Sequence, residues 1–144
     1  MKIIKIIGHP VLVMSLYLLI LISGESFGGF YLLYILMGLP FGALHAVTAL
    51  IGLCLVFFGY KVYRTKPSLL KPLLYILGIS TMMIALVLFF ERSNGYNDAT
   101  FYQTIPLVSL MLYSLSALCF IINAFILVVK FFRHRKGAIQ ALSL

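Results

Sequence analysis

Apolar residues run along this chain in long unbroken stretches, without the alternation of a half-buried strand. A bilayer core of ~30 Å takes about 20 helical residues, and four runs meet or approach that length. "GHPVLVMSLYLLILIS", from Gly8 to Ser23, reaches it when the turn "IIKII" before it is added, giving a helix over 6–23. Pro40 to Tyr60, Pro72 to Phe90 and Pro106 to Val129 give helices over 40–60, 72–90 and 106–129, each opening on proline, which the first helical turn favours.

One stretch does not fit this division. From Gly28 to Tyr60 no residue is charged, and the run is too long for one crossing and too short for two. With Pro40 opening a crossing, the segment 27–39, "FGGFYLLYILMGL", lies outside it. Thirteen helical residues reach only ~20 Å, so the segment does not span. The alternatives are an interfacial helix, a re-entrant segment, or a kinked extension of the second crossing that a further subunit covers. Phe27, Phe30, Tyr31 and Tyr34 suit a headgroup boundary.

Charge gives the four runs a direction. Lys2 and Lys5 precede the first; Lys61, Arg64, Lys66 and Lys71 lie between the second and third; Lys130, Arg133, Arg135 and Lys136 follow the fourth. Ten of the eleven basic residues therefore fall on one side, and Arg92 with the acids Glu25, Glu91 and Asp98 on the other. The positive-inside rule then places both termini in the cytoplasm. "MKIIKII" followed by an apolar run and "SGES" loosely resembles a cleavable leader; the segment is read as retained.

Composition agrees with this picture and excludes others. Hydrophobic residues make up 63% of the 144 and charged residues 10%, against about 25% charged in an average soluble domain. The expectation is an all-α integral membrane protein with four transmembrane helices in one domain, both termini inside, as in a bacterial cytoplasmic membrane. The net charge of +8 is assigned to anionic lipid headgroups on the cytoplasmic side, not to nucleic acid.

The fourth helix carries the most regular polar signal. Ser109, Ser116 and Asn123 recur every seven residues and Lys130 continues the series; a heptad drifts by only ~20°, so they form one stripe. It reads either as helix packing, with hydrogen bonds across an interface, or as the lining of a water-filled path in an oligomer. His45 is the ionisable residue inside the second helix, with Thr48 on its face, and Glu25 is the acid nearest in sequence. Such a residue is a proton carrier, a ligand, or a neutral imidazole bonded to a neighbouring helix. Gly42 with Ala46 and Thr81 with Ala85 are small pairs at four-residue spacing.

Other candidates carry less. Glu91 and Asp98 sit on the polar loop "ERSNGYNDATFYQ", where two carboxylates fall short of a calcium site. Cys54 and Cys119 form no CxxC. No HExxH, GxSxG, P-loop or dinucleotide-binding glycine pattern occurs, so neither an enzyme, a cofactor nor a metal is expected. Two functions remain: a homo-oligomeric channel or transporter whose fourth helix lines the path, or a non-catalytic subunit or scaffold that docks on a membrane-protein partner through 27–39.

Overall fold

A computed structural model describes residues 2–24, 28–61, 69–93 and 95–142, with side chains from Ile3 to Arg133 within those ranges. The described residues are mostly helical. In order it forms α1 (Lys2–Ile7), α2 (Pro10–Leu18), strands β1 (Leu21–Ser23) and β2 (Gly28–Phe30), α3 (Tyr31–Gly38), α4 (Leu44–Lys61), α5 (Leu70–Arg92), α6 (Ala99–Tyr102) and α7 (Thr104–Leu142).

Among the described residues three helices are long and apolar enough to cross a membrane: α4, α5 and the part of α7 from Thr104 to Arg133. They correspond to the runs expected at 40–60, 72–90 and 106–129. α4 begins four residues late, and the cause is local. Pro40 lies in a single 3-10 turn, Leu39–Phe41, that ends on Gly42 in the left-handed region at φ 63°. That conformation suits a residue without a Cβ. The described part of the segment 27–39, from Gly28 on, is therefore set off from α4 by a reversal and does not continue it as a kinked helix.

The helix expected over 6–23 is corrected, because the run is broken twice. Pro10 opens α2 and holds His9 extended, at φ −79° and ψ 135°, as a proline restricts the residue before it. After α2 the chain turns at Leu19 and becomes β1, which pairs antiparallel with β2 in the register Leu21 to Phe30, Ile22 to Gly29 and Ser23 to Gly28. This ribbon is an addition to the all-α expectation.

The broken run still travels the length of the molecule. Gly8 lies against Asn123 and Cys119, and the Ser23 hydroxyl donates to Gln103 Oε1 at 2.7 Å. Residues 8–23 thus run antiparallel to α7 from Asn123 to Gln103, about 30 Å of helix. β2 then comes back alongside β1, and the Tyr31 amide donates to the Ile20 carbonyl at 2.7 Å. Tyr31 arrives beside Tyr17, with ring centroids 5.2 Å apart, and α3 leads away toward the turn at Gly42.

Two kinds of seam join these pieces. α4 and α5 pack backbone to backbone: a Cβ on Gly52 would stand 2.9 Å from the Gly78 carbonyl, and one on Gly78 would stand 2.6 Å from Val56 Cγ2. The first segment, α3, α5 and α7 meet instead around buried tyrosines. The Tyr17 hydroxyl donates to the Met82 carbonyl at 3.1 Å and that of Tyr31 to the Ala85 carbonyl at 3.3 Å. Tyr113 of α7 lies 5.2 Å from Tyr17, centroid to centroid.

Candidate functional site: the polar stripe of α7 and the His45 corner

A membrane-spanning chain must satisfy its backbone polar groups internally, and a break in a helix frees several at once. In the first segment these are the last carbonyls of α1 and the amides on the edge of β1 that faces away from β2. Besides the bonds from the Gly8 amide to the Ile4 carbonyl and from the His9 amide to that of Ile6, they are met by polar side chains of α7 and of the short helix before it.

The correspondence follows the stripe. Asn123 Nδ2 donates to the Ile4 carbonyl at 2.9 Å and to that of Gly8 at 3.4 Å. The Ser116 hydroxyl, in a residue only 1% exposed, donates to the Ile7 carbonyl at 2.7 Å. Ser109 Oγ accepts from the Leu21 amide at 2.9 Å and donates to the Pro106 carbonyl in its own helix at 2.7 Å. Asn123 and Ser116 thus cap the C-terminal end of α1, while Ser109 completes β1.

Thr100 extends the pattern beyond α7. Fully buried in α6, its Oγ1 accepts from the Ser23 amide at 2.9 Å and lies 3.2 Å from the Ser23 carbonyl, to which it donates. Nothing in the sequence singles it out, since a threonine in a polar loop looks solvated. Lys130, the last member of the series, is exposed at the far end of the stripe. Gly8 makes the close approach possible: a Cβ there would lie 2.6 Å from Asn123 Nδ2 and 2.6 Å from the Cys119 backbone carbon.

His45 forms a separate corner at the start of α4. Its ring meets Phe89 edge to face at 5.2 Å and is hydrogen-bonded to the backbone of Tyr34 in α3. Its Nε2 is buried and has no hydrogen-bond partner among the described residues. Gly38 is wedged beside it, where a Cβ would lie 3.1 Å from Nε2 and 3.0 Å from Ala46 Cβ. Thr48 does not join this corner, because its hydroxyl donates to the Leu44 carbonyl of its own helix at 2.6 Å. Glu25, the acid nearest His45 in sequence, lies outside the described residues.

The remaining candidates are dispersed. Glu91 and Asp98 are both exposed, and Asn94 of the expected turn lies outside the described residues, next to Gly95 at φ 87°. Cys54 is exposed and Cys119 buried, both as free thiols. Of the small pairs, Ala46 and Ala85 are buried. Gly42 serves its turn with nothing within 4 Å of a Cβ, and Thr81 bonds its own helix at Leu77. Among the described residues no three His, Cys, Asp or Glu side chains converge as a metal site would require.

This arrangement is suited to holding a broken segment in place. No known family model matches the chain, and neither a curated protein nor a solved structure is detectably similar to it.

Proposed function

We propose that this small membrane protein crosses the bilayer four times, with both termini on its basic, cytoplasmic face, and works as a non-catalytic subunit or scaffold of a membrane assembly. The first crossing is the composite of α1, α2 and β1, and β2 with α3 forms a re-entrant corner on the outer side. The observation that carries the functional half is the orientation of the stripe. Ser109, Ser116 and Asn123 face the chain's own first segment with their polar atoms engaged, so a channel lined by this face of α7 would have to strip that segment away.

The outer corner supports the docking half. α3 buries Tyr31 and Ile35 and exposes Leu36 and Met37. Phe41, on the turn that follows, is 87% exposed. Large apolar side chains presented on a reversal at the membrane boundary, where lipid cover is incomplete, suit a membrane-protein partner.

The test combines flux and cross-linking on the full chain. In reconstituted vesicles no ion flux above that of empty vesicles is expected. In native membranes a photoreactive group at Met37 or Phe41 should give one discrete protein adduct that the same group at lipid-facing Val87 does not. Selective, sustained flux, or adducts equal at all three positions, would overturn the proposal.

A further inference from the structure

At the basic end of the helices, three lysines from three separate elements border one cleft. Lys5 of α1, Lys71 of α5 and Lys130 of α7 stand around a cavity of about 350 Å³ whose walls include Tyr60, Tyr75 and Phe120. Binding pockets for small ligands span ~300–1,000 Å³, so the space is ample for a headgroup and the start of its chains.

The charge in this cleft is not neutralised from within. Among the described residues no carboxylate lines it, and Glu91 and Asp98 belong to the opposite ends of the helices. Three ammonium groups facing one space repel each other and attract an anion. Aromatic and polar side chains stand among them. Lys71 Nζ lies 5.9 Å from the Tyr75 ring centroid, His9 meets Tyr60 edge to face at 5.5 Å, and Asn123 is part of the wall. The lining also includes apolar Phe120, Ile126 and Leu127.

A second cavity of about 410 Å³ adjoins the first. The two share Ile126 and Lys130, and the second is otherwise walled by Ile122, Phe125, Val129 and Arg133. Lys130 thus stands between two largely apolar grooves, with further positive charge on either side. A cationic mouth over paired apolar grooves matches a molecule with one anionic head and two acyl chains.

We infer that this cleft binds the phosphate of an anionic phospholipid between Lys5, Lys71 and Lys130, with its acyl chains in the grooves flanking Lys130. Basic pockets between helices at the cytoplasmic boundary hold such headgroups. A free phosphate ion has the same head chemistry but would leave the apolar grooves unfilled. The inference rests on the membrane reading above but not on whether the protein conducts.

The experiment is native mass spectrometry of the full chain in detergent, with phosphatidylglycerol and phosphatidylcholine of identical acyl chains as probes. One phosphatidylglycerol is expected to be retained in preference to phosphatidylcholine. Lys5→Gln, Lys71→Gln and Lys130→Gln should each weaken retention about fivefold, and the three together on the order of a hundredfold. Lys61→Gln is the control, because Lys61 lies over the Phe57 ring at 5.8 Å and outside the cleft. Equal retention of the two lipids, or an equal loss with Lys61→Gln, would overturn the inference. Displacement of the lipid by glycerol phosphate alone would also overturn it, in favour of a free-anion site. Flux through vesicles would refute the non-conducting reading and leave this result standing, so the two failures are distinguishable.

Discussion

The α4–α5 hairpin and the pairing of the first segment with α7 hold the molecule together by opposite means. In the hairpin both helices are continuous, their backbone groups are satisfied within each helix, and Gly52, Gly59 and Gly78 bring them into direct contact. Dispersion between closely fitted surfaces supplies the attraction. In the other pair one partner is a helix of 39 residues, while the other is broken at His9 and again after Leu18. Its freed backbone groups are hydrogen-bonded by Asn123, Ser116, Ser109 and Thr100. A polar stripe on a membrane helix can therefore mark a neighbour's defects as readily as a path for water.

If the hairpin depends on closeness, adding bulk at its contact should have the largest effect of any single substitution. Gly52→Val and Gly78→Val are expected to cost about 3 kcal/mol or more, since the nearest atoms include backbone that cannot swing aside. Reversible unfolding in mixed micelles measures the loss, and a cost under about 1 kcal/mol would show that the helices are not in contact there.

The stitched pair should respond to loss of polarity and not to added bulk. Thr100→Val keeps the shape of a fully buried side chain while removing both bonds to Ser23, and Asn123→Leu removes the bonds to Ile4 and Gly8. Each is expected to cost about 1–2 kcal/mol, as backbone groups of the first segment lose a side-chain hydrogen bond. Asn123→Leu should also speed hydrogen exchange of the α1 amides, leaving those of α4 unchanged. Equal acceleration in both helices would mean that the stripe holds no particular segment.

Ser109→Ala should cost about 1 kcal/mol, because it leaves the Leu21 amide without its acceptor. The smallest effects sharpen the contrast. Thr48, Thr81 and Ser114 bond carbonyls of their own helices, so Thr48→Val, Thr81→Val and Ser114→Ala should each change stability by less than about 0.5 kcal/mol. The same chemistry then matters only where the acceptor or donor belongs to another segment.

These two regions are unequally legible in the sequence. Long apolar runs ending at Lys61 and Arg92 carry α4 and α5 to within four residues at either end, because a continuous membrane helix needs little beyond length and apolarity. The hinge at Gly8-His9-Pro10 is visible as a proline whose predecessor is biased away from the helix, but the apolar residues after it outweigh that signal. The stripe on α7 is readable as a stripe. Its partners are not, since backbone carbonyls and amides have no signature in the identity of Ile4, Ile7 or Leu21. The ribbon is hidden for a related reason: Leu21 to Ser23 pass for a helix end, and Gly28 to Phe30 for the start of the outer apolar segment. The tyrosine cluster joins residues 17, 31 and 113, which only the folded chain brings together.

The most direct measurement asks whether the stripe is dry. Single cysteines at positions 109, 116 and 123, in a background lacking Cys54 and Cys119, would be exposed in native membranes to a membrane-impermeant thiol reagent, with a cysteine at exposed Gln103 as the labelled reference. Labelling is expected at 103 and at none of the three stripe positions. Labelling at all three would place water along α7 and contradict the claim that its polar face holds the broken first segment.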